Sequence, residues 1–399
     1  MLSQNLLALG FTSFFSDISS EMVVAIVPLF LTTGLGLGFF GVAAYEAAYQ
    51  GTNAVFRIWG GSVADKRQSH KKTAATGYSI SALTRVGLVI SALVTAVPAV
   101  PFLLADRIGK GLRTAPRDAL ISLSTAPNRL AMAFGIHRAM DTAGALLGPL
   151  IAFFIFWQAD GAFDAIFMIS ALVAAIGVAT IWLFAEEKPQ RAPAKHAHDT
   201  PRIRDQWRDV VSSKGVLGIA GGVAMLGVVT VGDAFIYLLM QRTNNFDARY
   251  FPLLFVGTAI VYLALAMPLG RLADRVGTRA VFLGGNVVMV ALYLVLAFSG
   301  LGLGSALLCL GLLGAYYAAT DGVVPAMVSQ LVGPQVRASG ISFITVIIAV
   351  SRMISGVAFA TLFASFGRTT AMVVLAIAMS AAVLFSFRLL PSRPVSASQ

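Results

Sequence analysis

A short charged hinge between two long apolar runs reads Pro268-Leu269-Gly270-Arg271-Leu272-Ala273-Asp274-Arg275-Val276-Gly277-Thr278-Arg279. About half a chain earlier stands a weaker copy, Trp59-Gly60-Gly61-Ser62-Val63-Ala64-Asp65-Lys66-Arg67-Gln68-Ser69-His70-Lys71-Lys72. In both, a glycine precedes an aspartate by four residues and basic residues follow. A charged hinge that occurs twice inside a hydrophobic chain predicts a duplicated membrane bundle, one half of which moves against the other.

The composition of the chain is that of a membrane protein. Of its 399 residues, 57% are hydrophobic and 12% are charged, with a mean hydropathy of +0.82, whereas soluble domains carry about 25% charged residues. Apolar runs of roughly 20 residues, the length of a membrane-spanning helix, recur along the whole chain. They are continuous rather than alternating in ~10-residue segments, which excludes a transmembrane barrel. The sequence therefore predicts an all-α polytopic membrane protein.

Proline, charge and histidine concentrate in one internal stretch, 186–213, which we predict to be a solvated cytoplasmic linker. It separates an N-terminal six-helix bundle at 1–185 from a C-terminal six-helix bundle at 214–399, so that twelve transmembrane helices form two pseudo-symmetric halves. The predicted spans are approximately 7–32, 39–64, 73–97, 99–122, 130–157, 162–185, 214–241, 249–273, 279–300, 303–330, 336–364 and 368–390.

The basic residues predict the orientation in the membrane. The formal net charge is +11, and most lysines and arginines of the predicted loops fall on one side, which is the cytoplasmic side by the positive-inside rule. Both termini and the linker are therefore expected in the cytoplasm, in a multi-pass protein of the cytoplasmic (inner) membrane that does not bind nucleic acid. The N-terminus has neither a basic region nor a small-residue cleavage site, so the first span is expected to be retained.

Several kinds of chemistry have no motif in this chain. Cys309 is the single cysteine, which excludes a disulfide or a thiolate metal site within one chain. The sequence contains no phosphate-binding glycine loop, no metal-ligand cluster and no nucleophile elbow. We therefore expect no enzymatic activity, no cofactor, no metal and no ATP-driven transport by this chain.

Three pairs of aspartates keep their order in the two halves and support the duplication. The pairs are Asp17 with Asp233, Asp65 with Asp274, and Asp118 with Asp321. In the hinges, glycine allows close helix approach, aspartate can pair with an arginine or cap a helix, and basic residues anchor to the lipid surface. Ordinary loop charge would explain one copy, whereas two matched copies favour gating. The predicted gating residues of the hinges are Gly61, Asp65, Lys66, Gly270, Asp274, Arg275 and Arg279.

With these hinges, the chain resembles the major facilitator superfamily of secondary transporters over essentially its whole length. The segment from Gly270 to Arg279 is similar to that family's loop motif between the second and third helices of a half. In the first copy, Gln68 stands where a glycine is usual and the basic residues come late. The resemblance implies that the motif stabilises an outward-facing state. Because the first copy differs from the family's motif, the N-terminal half is expected to stabilise that state less strongly.

The predicted fourth span carries cations every three or four residues, at Arg107, Lys110, Arg113 and Arg117. They share one helical face, and because cations facing lipid are costly, this face is expected to meet a cavity or acidic partners. Acids and bases are nearly balanced in the N-terminal spans, which favours a network of ion pairs in which some of the charged residues function in transport. The alternative is that the cations only neutralise buried carboxylates. Arg107 with Gly111 is similar to the family's fourth-helix motif, in which the arginine is implicated in proton transfer.

The predicted fifth span contains Gly144, Gly148 and Pro149, a glycine repeat followed by proline that bends a helix and lets a neighbour approach closely. It resembles the fifth-helix motif of the family's antiporters and implies the branch that exchanges drugs and other organic compounds for protons. Ala152 and Phe153 stand where further glycines are common. Simple helix packing is the alternative interpretation. We assign Gly144, Gly148 and Pro149 to gating.

Acids and tyrosines within the spans are the candidates for proton coupling and substrate binding. A desolvated carboxylate in a membrane helix can carry a proton, or it can stay ionised beside an arginine such as Arg107 or Arg138. Tyrosines can stack on an organic substrate. The predicted proton-coupling residues are Asp17, Glu21, Glu46, Arg107, Asp233 and Asp321, and the predicted substrate-cavity residues are Tyr45, Tyr49, Lys110, Tyr237, Tyr316 and Tyr317.

These features predict a monomeric transporter that works by alternating access, with a small-molecule substrate, protons and the lipid bilayer as its partners. We expect proton-coupled antiport that exports a small organic compound. One alternative is proton symport or facilitated uptake of a small metabolite, including an anionic one, on the face from Arg107 to Lys110. Another alternative, from a different class, is a non-transporting membrane sensor or lipid-modifying protein.

Overall fold

A computed structural model gives the structure of the chain. It describes residues 4–67, 69–94, 98–126, 129–187, 213–244, 246–298, 302–332 and 337–391. Throughout these ranges the regular structure is helical and no strand occurs, as predicted. A backbone surrounded by lipid must satisfy its own hydrogen bonds, and a helix does so within one segment. Most of the predicted linker at 186–213 lies outside the described residues.

Thirteen labelled helices follow one another along the described chain. In the first half they are α1 (Gln4–Val24), α2 (Phe39–Arg67), α3 (His70–Leu93), α4 (Val100–Leu123), α5 (Leu130–Gln158) and α6 (Phe163–Phe184). In the second half they are α7 (Lys214–Val228), α8 (Asp233–Asn244), α9 (Phe251–Val276), α10 (Thr278–Phe298), α11 (Leu303–Thr320), α12 (Val323–Leu331) and α13 (Arg337–Leu389). Short helical turns at Val27–Leu29, Phe30–Gly34 and Ala248–Tyr250 complete the set.

The described helices account for the predicted crossings of the membrane. Nine stretches of the described chain are long and apolar enough to span it. One of these, Gly340–Leu389, is 50 residues long and provides two crossings, because its helix is interrupted at Gly367, where φ is +74°. Helices α2 and α4, of 29 and 24 residues, are long enough but carry more charge. Together these give twelve crossings, in agreement with the predicted fold class.

The chain divides into two compact units. Unit 1 comprises Met1–Leu37, Ala48–Ala194 and Asp247–Val256, and unit 2 comprises Gly38–Ala47, Lys195–Phe246 and Gly257–Gln399. Each unit therefore includes a short segment from the opposite half of the sequence, at the start of α2 in unit 2 and around the start of α9 in unit 1. The limits 1–185 and 214–399 remain predictions about sequence halves.

Unit 1 is built around α1, which packs against α5 and α6, while α3 packs against α4 and α6. Gly77 of α3 faces Gly109 of α4 so closely that a Cβ on Gly109 would lie 2.6 Å from the Gly77 carbonyl oxygen. Glycine removes the side chains that would hold two helices apart. The hydrophobic core of the unit consists of Leu6, Ala8, Leu9, Ala74, Ala75, Tyr78, Leu120, Ile121, Ala133, Ile181 and Ala185.

Unit 2 is organised around α13, against which α7 and α10 pack, and α10 also packs against α11. Its aromatic side chains form a cluster that includes the first residue of α2. Phe39 lies 5.9 Å from Phe235, 5.8 Å from Phe359 and 4.4 Å from Phe363, measured between ring centroids. The guanidinium carbon of Arg242 lies 4.8 Å from the Phe39 ring centroid. Tilted and edge-to-face rings and a cation over a ring add attraction beyond burial of area, so this cluster fixes the start of α2.

Candidate functional site

Helix α4 carries charged side chains into the interior of unit 1. Asp106 is 1% exposed, and Arg107 and Arg113 are 3% and 2% exposed. The close crossing of α3 and α4 at Gly77 and Gly109 brings these side chains against α3. Charges at such depth are tolerated only when they are paired and hydrogen-bonded, and each of the three has a partner.

Asp106 is the meeting point of two buried arginines. Nη2 of Arg85, on α3, lies 3.1 Å from one carboxylate oxygen of Asp106, and Arg107 forms an ion pair with the other oxygen. Arg85 also donates a hydrogen bond to Ser20 Oγ at 3.2 Å, and Nη1 of Arg107 donates to the Tyr49 hydroxyl at 2.8 Å. Removing this one carboxylate would take a counter-charge from both guanidinium groups.

The remaining cations of α4 face polar side chains of α1, and we call these three contacts the charge ladder. The rungs join Lys110 Nζ to Glu21 Oε1 at 3.6 Å, Arg113 Nη2 to Asp17 Oδ1 at 3.6 Å, and Arg117 Nη1 to Ser13 Oγ at 3.3 Å. The α1 members are four residues apart and the α4 members three or four, so each set occupies one helical face. Asp17 and Glu21 thus pair with Arg113 and Lys110, and not with Arg107 or Arg138 as considered from the sequence.

The glycines of α5 stand directly behind the two carboxylates of the charge ladder. A Cβ on Gly144 would lie 2.6 Å from the carbonyl oxygen of Phe14 and 3.3 Å from Cβ of Asp17. A Cβ on Gly148 would lie 2.8 Å from Cβ of Glu21. Because no larger residue fits, the glycine repeat sets the distance between α5 and α1 and thereby the position of both acids.

The Arg117 end of the charge ladder continues into α5. Arg117 pairs with Asp118 at 2.9 Å and with Asp141 at 3.6 Å. His137 lies 3.5 Å from Asp141 through Nδ1 and 3.1 Å from Ser13 Oγ through Nε2. The ladder is therefore one part of a polar network that joins α1, α4 and α5.

Among the described residues of unit 2, one acid and one base line a cavity of about 270 Å³. Asp321 and Arg352 both line it, together with the predicted substrate residue Tyr316. Arg352 interacts electrostatically with Asp321 and with Asp233. Asp233 accepts a hydrogen bond from the hydroxyl of Tyr317. The structure thus brings several of the C-terminal candidates together in one unit.

The other predicted cavity residues are not among the residues that line this cavity. Tyr237 is 1% exposed and donates its hydroxyl hydrogen to Thr258 Oγ1 at 2.8 Å. Tyr45 and Glu46 belong to the α2 segment of unit 2, and Tyr45 is buried. Tyr49 and Lys110 belong to unit 1, where they contact Arg107 and Glu21. The predicted substrate tyrosines are therefore distributed over both units.

In the second hinge, Gly277 links α9 to α10. Its φ is +98°, a backbone conformation that glycine adopts readily and other residues rarely adopt. Asp274 and Arg275 are exposed. Arg279 donates a hydrogen bond to the Phe387 carbonyl and lies 4.0 Å from the centroid of its ring, which ties the start of α10 to the end of α13. Close helix approach does not explain Gly270, because a Cβ there would meet no described atom within 4 Å.

Among the described residues, the first hinge is held by a carboxylate, that of Glu187, and not by an arginine. The side chains of its predicted gating residues, Gly61, Asp65 and Lys66, lie outside the described part of the structure. At the start of α3, the backbone N–H groups of His70 and Lys71 donate to the two carboxylate oxygens of Glu187 at 3.0 and 2.9 Å. A carboxylate at a helix N-terminus satisfies donors that have no partner within the helix.

The sequence analysis gave no role to Arg85, Asp106 or Glu187, and it placed Glu187 in the linker. A signal was present for the first two, because a lone arginine in α3 and an adjacent Asp106-Arg107 pair in α4 interrupt apolar helices. No local signal marked Glu187, since its partners lie 116 and 117 residues away.

These helices and their buried charges define a polytopic helical membrane protein built from a repeated half. The family model of the Major Facilitator Superfamily matches residues 9–243 and again 217–399. The chain therefore belongs to the major facilitator superfamily, and it is a multi-pass membrane transporter of that kind.

Relatives among curated proteins agree with this assignment. An uncharacterized MFS-type transporter of Methanocaldococcus jannaschii is 29% identical over 350 residues, which cover 87% of this chain and 85% of that protein. An uncharacterized protein of Mycobacterium tuberculosis is 31% identical over 119 residues, which cover 30% of this chain and 27% of that protein. The longer match supports membership of the family over most of the chain.

Solved transporter structures share the fold at low sequence identity. The nucleoside transporter NupG has a TM-score of 0.73 at 16% identity, covering 96% of this chain and 98% of its own. A POT family transporter in complex with 5-aminolevulinic acid has a TM-score of 0.76 at 12% identity, covering 98% of this chain and 97% of its own. At such identities the likeness concerns the fold alone.

Proposed function

We propose that this transporter is a proton-coupled antiporter that exports a small organic compound by alternating access. The charge ladder carries the proposal, because it places two partly exposed carboxylates of α1 opposite cations of α4. The Glu21 and Lys110 side chains are 24% and 33% exposed, and the Asp17 side chain is 16% exposed. A proton on either carboxylate removes the charge that attracts α4 to α1 at that rung.

Glu21 is the member of the charge ladder best suited to exchange its proton. Its contact with Lys110 is 3.6 Å long, whereas a direct charge-assisted hydrogen bond is about 2.7–2.9 Å. Partly exposed ion pairs of this kind contribute about 0–1 kcal/mol, so the contact breaks and reforms easily. Asp106 lies deeper and is held by two arginines, which suits a fixed anchor for Arg107.

The glycine repeat of α5 supports the same proposal. With Gly144 and Gly148 directly behind Asp17 and Glu21, a shift of α5 along α1 acts on both carboxylates. We assign Pro149, which lies inside α5, to the bend about which this shift takes place. Loss of a ladder charge and movement of a helix are thereby linked, as antiport requires.

We also propose that the two hinges gate the cytoplasmic side and that both termini lie in the cytoplasm. The support is the placement of basic residues on one side of the predicted spans, together with the contacts of the hinges, which join the first to Glu187, just after α6, and the second to Phe387, near the end of α13. Glu46, Asp233 and Asp321 remain candidates for proton coupling beside the ladder. The protein is proposed to work as a monomer in the cytoplasmic membrane.

Everted membrane vesicles that are acidified inside test the direction of coupling. Each compound of a panel of organic cations, anions, zwitterions and neutral molecules is added outside, and the proton gradient is followed with a pH-sensitive dye. We expect at least one compound to dissipate the gradient only in vesicles that contain the protein. If dissipation requires the compound inside the vesicles, the protein is a symporter and the antiport proposal is wrong.

Two matched variants test the role of the charge ladder. Glu21→Gln is expected to abolish compound-driven proton movement while leaving exchange of labelled compound for unlabelled compound across the membrane. Asp118→Asn removes an acid that is 43% exposed and is expected to leave both activities close to those of the unaltered protein. Equal proton movement by Glu21→Gln and the unaltered protein would remove Glu21 from the mechanism.

A further inference from the structure

The cavity inside unit 2 presents one carboxylate and one guanidinium to the same space. Asp321 stands in the turn that follows α11, and Arg352 belongs to α13. Thr230, after α7, and Asn286, on α10, supply further polar groups to the wall. Four different parts of the unit therefore converge on this cavity.

The two charged groups attract each other without being joined. Arg352 and Asp321 interact electrostatically across the cavity, and among the described residues they form no ion pair within 4.0 Å. The other acid near Arg352, Asp233, is hydrogen-bonded to Tyr317. A charged group removed from bulk water is stabilised by an oppositely charged partner with which it forms hydrogen bonds. A ligand with two opposite charges would supply such a partner to each of these residues.

The rest of the wall is largely aliphatic. Val223 and Leu226 of α7, Val328 of α12 and Ile344 of α13 line the cavity, and all four are buried. Small-molecule pockets usually measure about 300–1,000 Å³, so a cavity of about 270 Å³ suits a compact molecule. The body of such a molecule must be apolar to match this wall.

We propose that this cavity binds a small zwitterion with an aliphatic body, in which an ammonium group meets Asp321 and a carboxylate meets Arg352. A guanidinium holds a carboxylate through two parallel hydrogen bonds, and Asp321 accepts hydrogen bonds from the ammonium group. Aliphatic amino acids are the simplest members of this class. The inference rests on the proposed function in naming the class of compound that is moved, although binding itself needs no transport.

Binding to the purified full chain tests the charge requirement with three matched probes. Leucine carries both charges, isoamylamine is leucine without its carboxylate, and 4-methylpentanoate is leucine without its ammonium group. Cys309 is buried in unit 2, so a thiol-reactive dye reports the thermal unfolding of that unit. We expect leucine, valine or norleucine to raise the unfolding temperature and the two singly charged probes to raise it far less. If none of the three amino acids binds, or if a singly charged probe binds equally well, the inference is wrong.

Variants of the two charged residues separate binding from folding. Asp321→Asn and Arg352→Gln are each expected to weaken amino-acid binding about tenfold or more, the effect of losing a hydrogen bond to a charged group. Arg352→Lys keeps the charge and is expected to retain part of the affinity. Asp160→Asn, at a side chain that is 93% exposed, is the control and should bind normally. Unchanged affinity in a folded Asp321→Asn protein would overturn the assignment.

The vesicle assay distinguishes failure of this inference from failure of the proposed function. If amino acids do not bind but another compound dissipates the proton gradient, antiport stands and the zwitterion site is wrong. If amino acids bind to the unit 2 cavity but no compound moves protons, the site stands and antiport is wrong.

Discussion

The interiors of unit 1 and unit 2 differ in how their charges are matched, although the family model recognises both halves of the chain. In unit 1, the cations of α4 meet acids of α1, α4 and α5 or the hydroxyl of Ser13 within 3.6 Å. In unit 2, Arg352 and Asp321 face a cavity without touching. A repeated fold thus carries two arrangements of charge, one that joins helices and one that is open to a ligand.

Asp106 is the residue at which loss of a charge should have the largest effect. Asp106→Asn leaves Arg85 and Arg107 buried with less counter-charge, and breaking a buried ion pair by removing one partner costs about 3–5 kcal/mol. We expect a greatly reduced yield of folded protein and a lower midpoint of thermal unfolding, measured by circular dichroism in detergent.

The partly exposed acid Asp118, on the same helix, provides the control for this prediction. Its side chain is 43% exposed, and pairs of that kind contribute about 0–1 kcal/mol. Asp118→Asn should therefore unfold close to the unaltered protein. Equal midpoints for the two variants would show that the charges of unit 1 do not hold its helices together.

A smaller effect is expected from the glycine repeat of α5. In Gly148→Ala, the added Cβ would lie 2.8 Å from Cβ of Glu21, so α5 and α1 must separate, and overpacking of this kind costs about 1–3 kcal/mol. We expect a lower unfolding midpoint by circular dichroism and weaker proton coupling in the vesicle assay.

Gly135, on the same helix, is the matched control for Gly148. A Cβ at Gly135 meets no described atom within 4 Å, and alanine is the better helix former by up to about 1 kcal/mol. Gly135→Ala should therefore be neutral or slightly stabilising. A Gly148→Ala protein as stable and as well coupled as Gly135→Ala would contradict the role given to the close contact.

The smallest of these effects concerns the two hinges, which are tied by a carboxylate in one half and an arginine in the other. Glu187→Ala removes the acceptor of the His70 and Lys71 amides, and loss of a helix cap costs about 0.5–2 kcal/mol. We expect faster hydrogen exchange at the start of α3, measured by mass spectrometry, and unchanged exchange at the start of α10.

Glu186→Ala serves as the control for the cap, because it removes the neighbouring carboxylate and leaves Glu187 in place. Exchange at the start of α3 should then stay slow. Fast exchange in both variants would mean that the chain after α6, rather than the Glu187 carboxylate, protects these amides.

The fold could be predicted because a membrane imposes a length on each helix, and apolar runs of that length are visible in the sequence. The repeated hinge then indicated two halves and, through resemblance, the family. The row of cations on α4 was also visible, since residues three and four apart share a face of any helix. These inferences need only the periodicity of one segment at a time.

Which acid meets which cation could not be predicted, because it depends on the helices that become neighbours. The sequence interpretation considered Arg107 as the partner of Asp17 or Glu21, yet Arg107 lies against Asp106 and the acids meet residues one and two turns further along α4. The close contact at Gly148 and the open surroundings of Gly270 likewise follow from tertiary packing. Local glycine patterns do not distinguish the two.

The central position of α1 has a consequence for how the protein is made. This helix leaves the ribosome before α4, α5 and α6, but its carboxylates pair with α4 and its sides pack against α5 and α6. The side-chain amide of Asn5, near its beginning, exchanges hydrogen bonds with the backbone of Glu186, just after α6. Helix α1 therefore completes these contacts only after α6 and Glu186 have been synthesised. Until α4 has been synthesised, Asp17 and Glu21 lack Arg113 and Lys110, the cations with which they pair in the folded bundle.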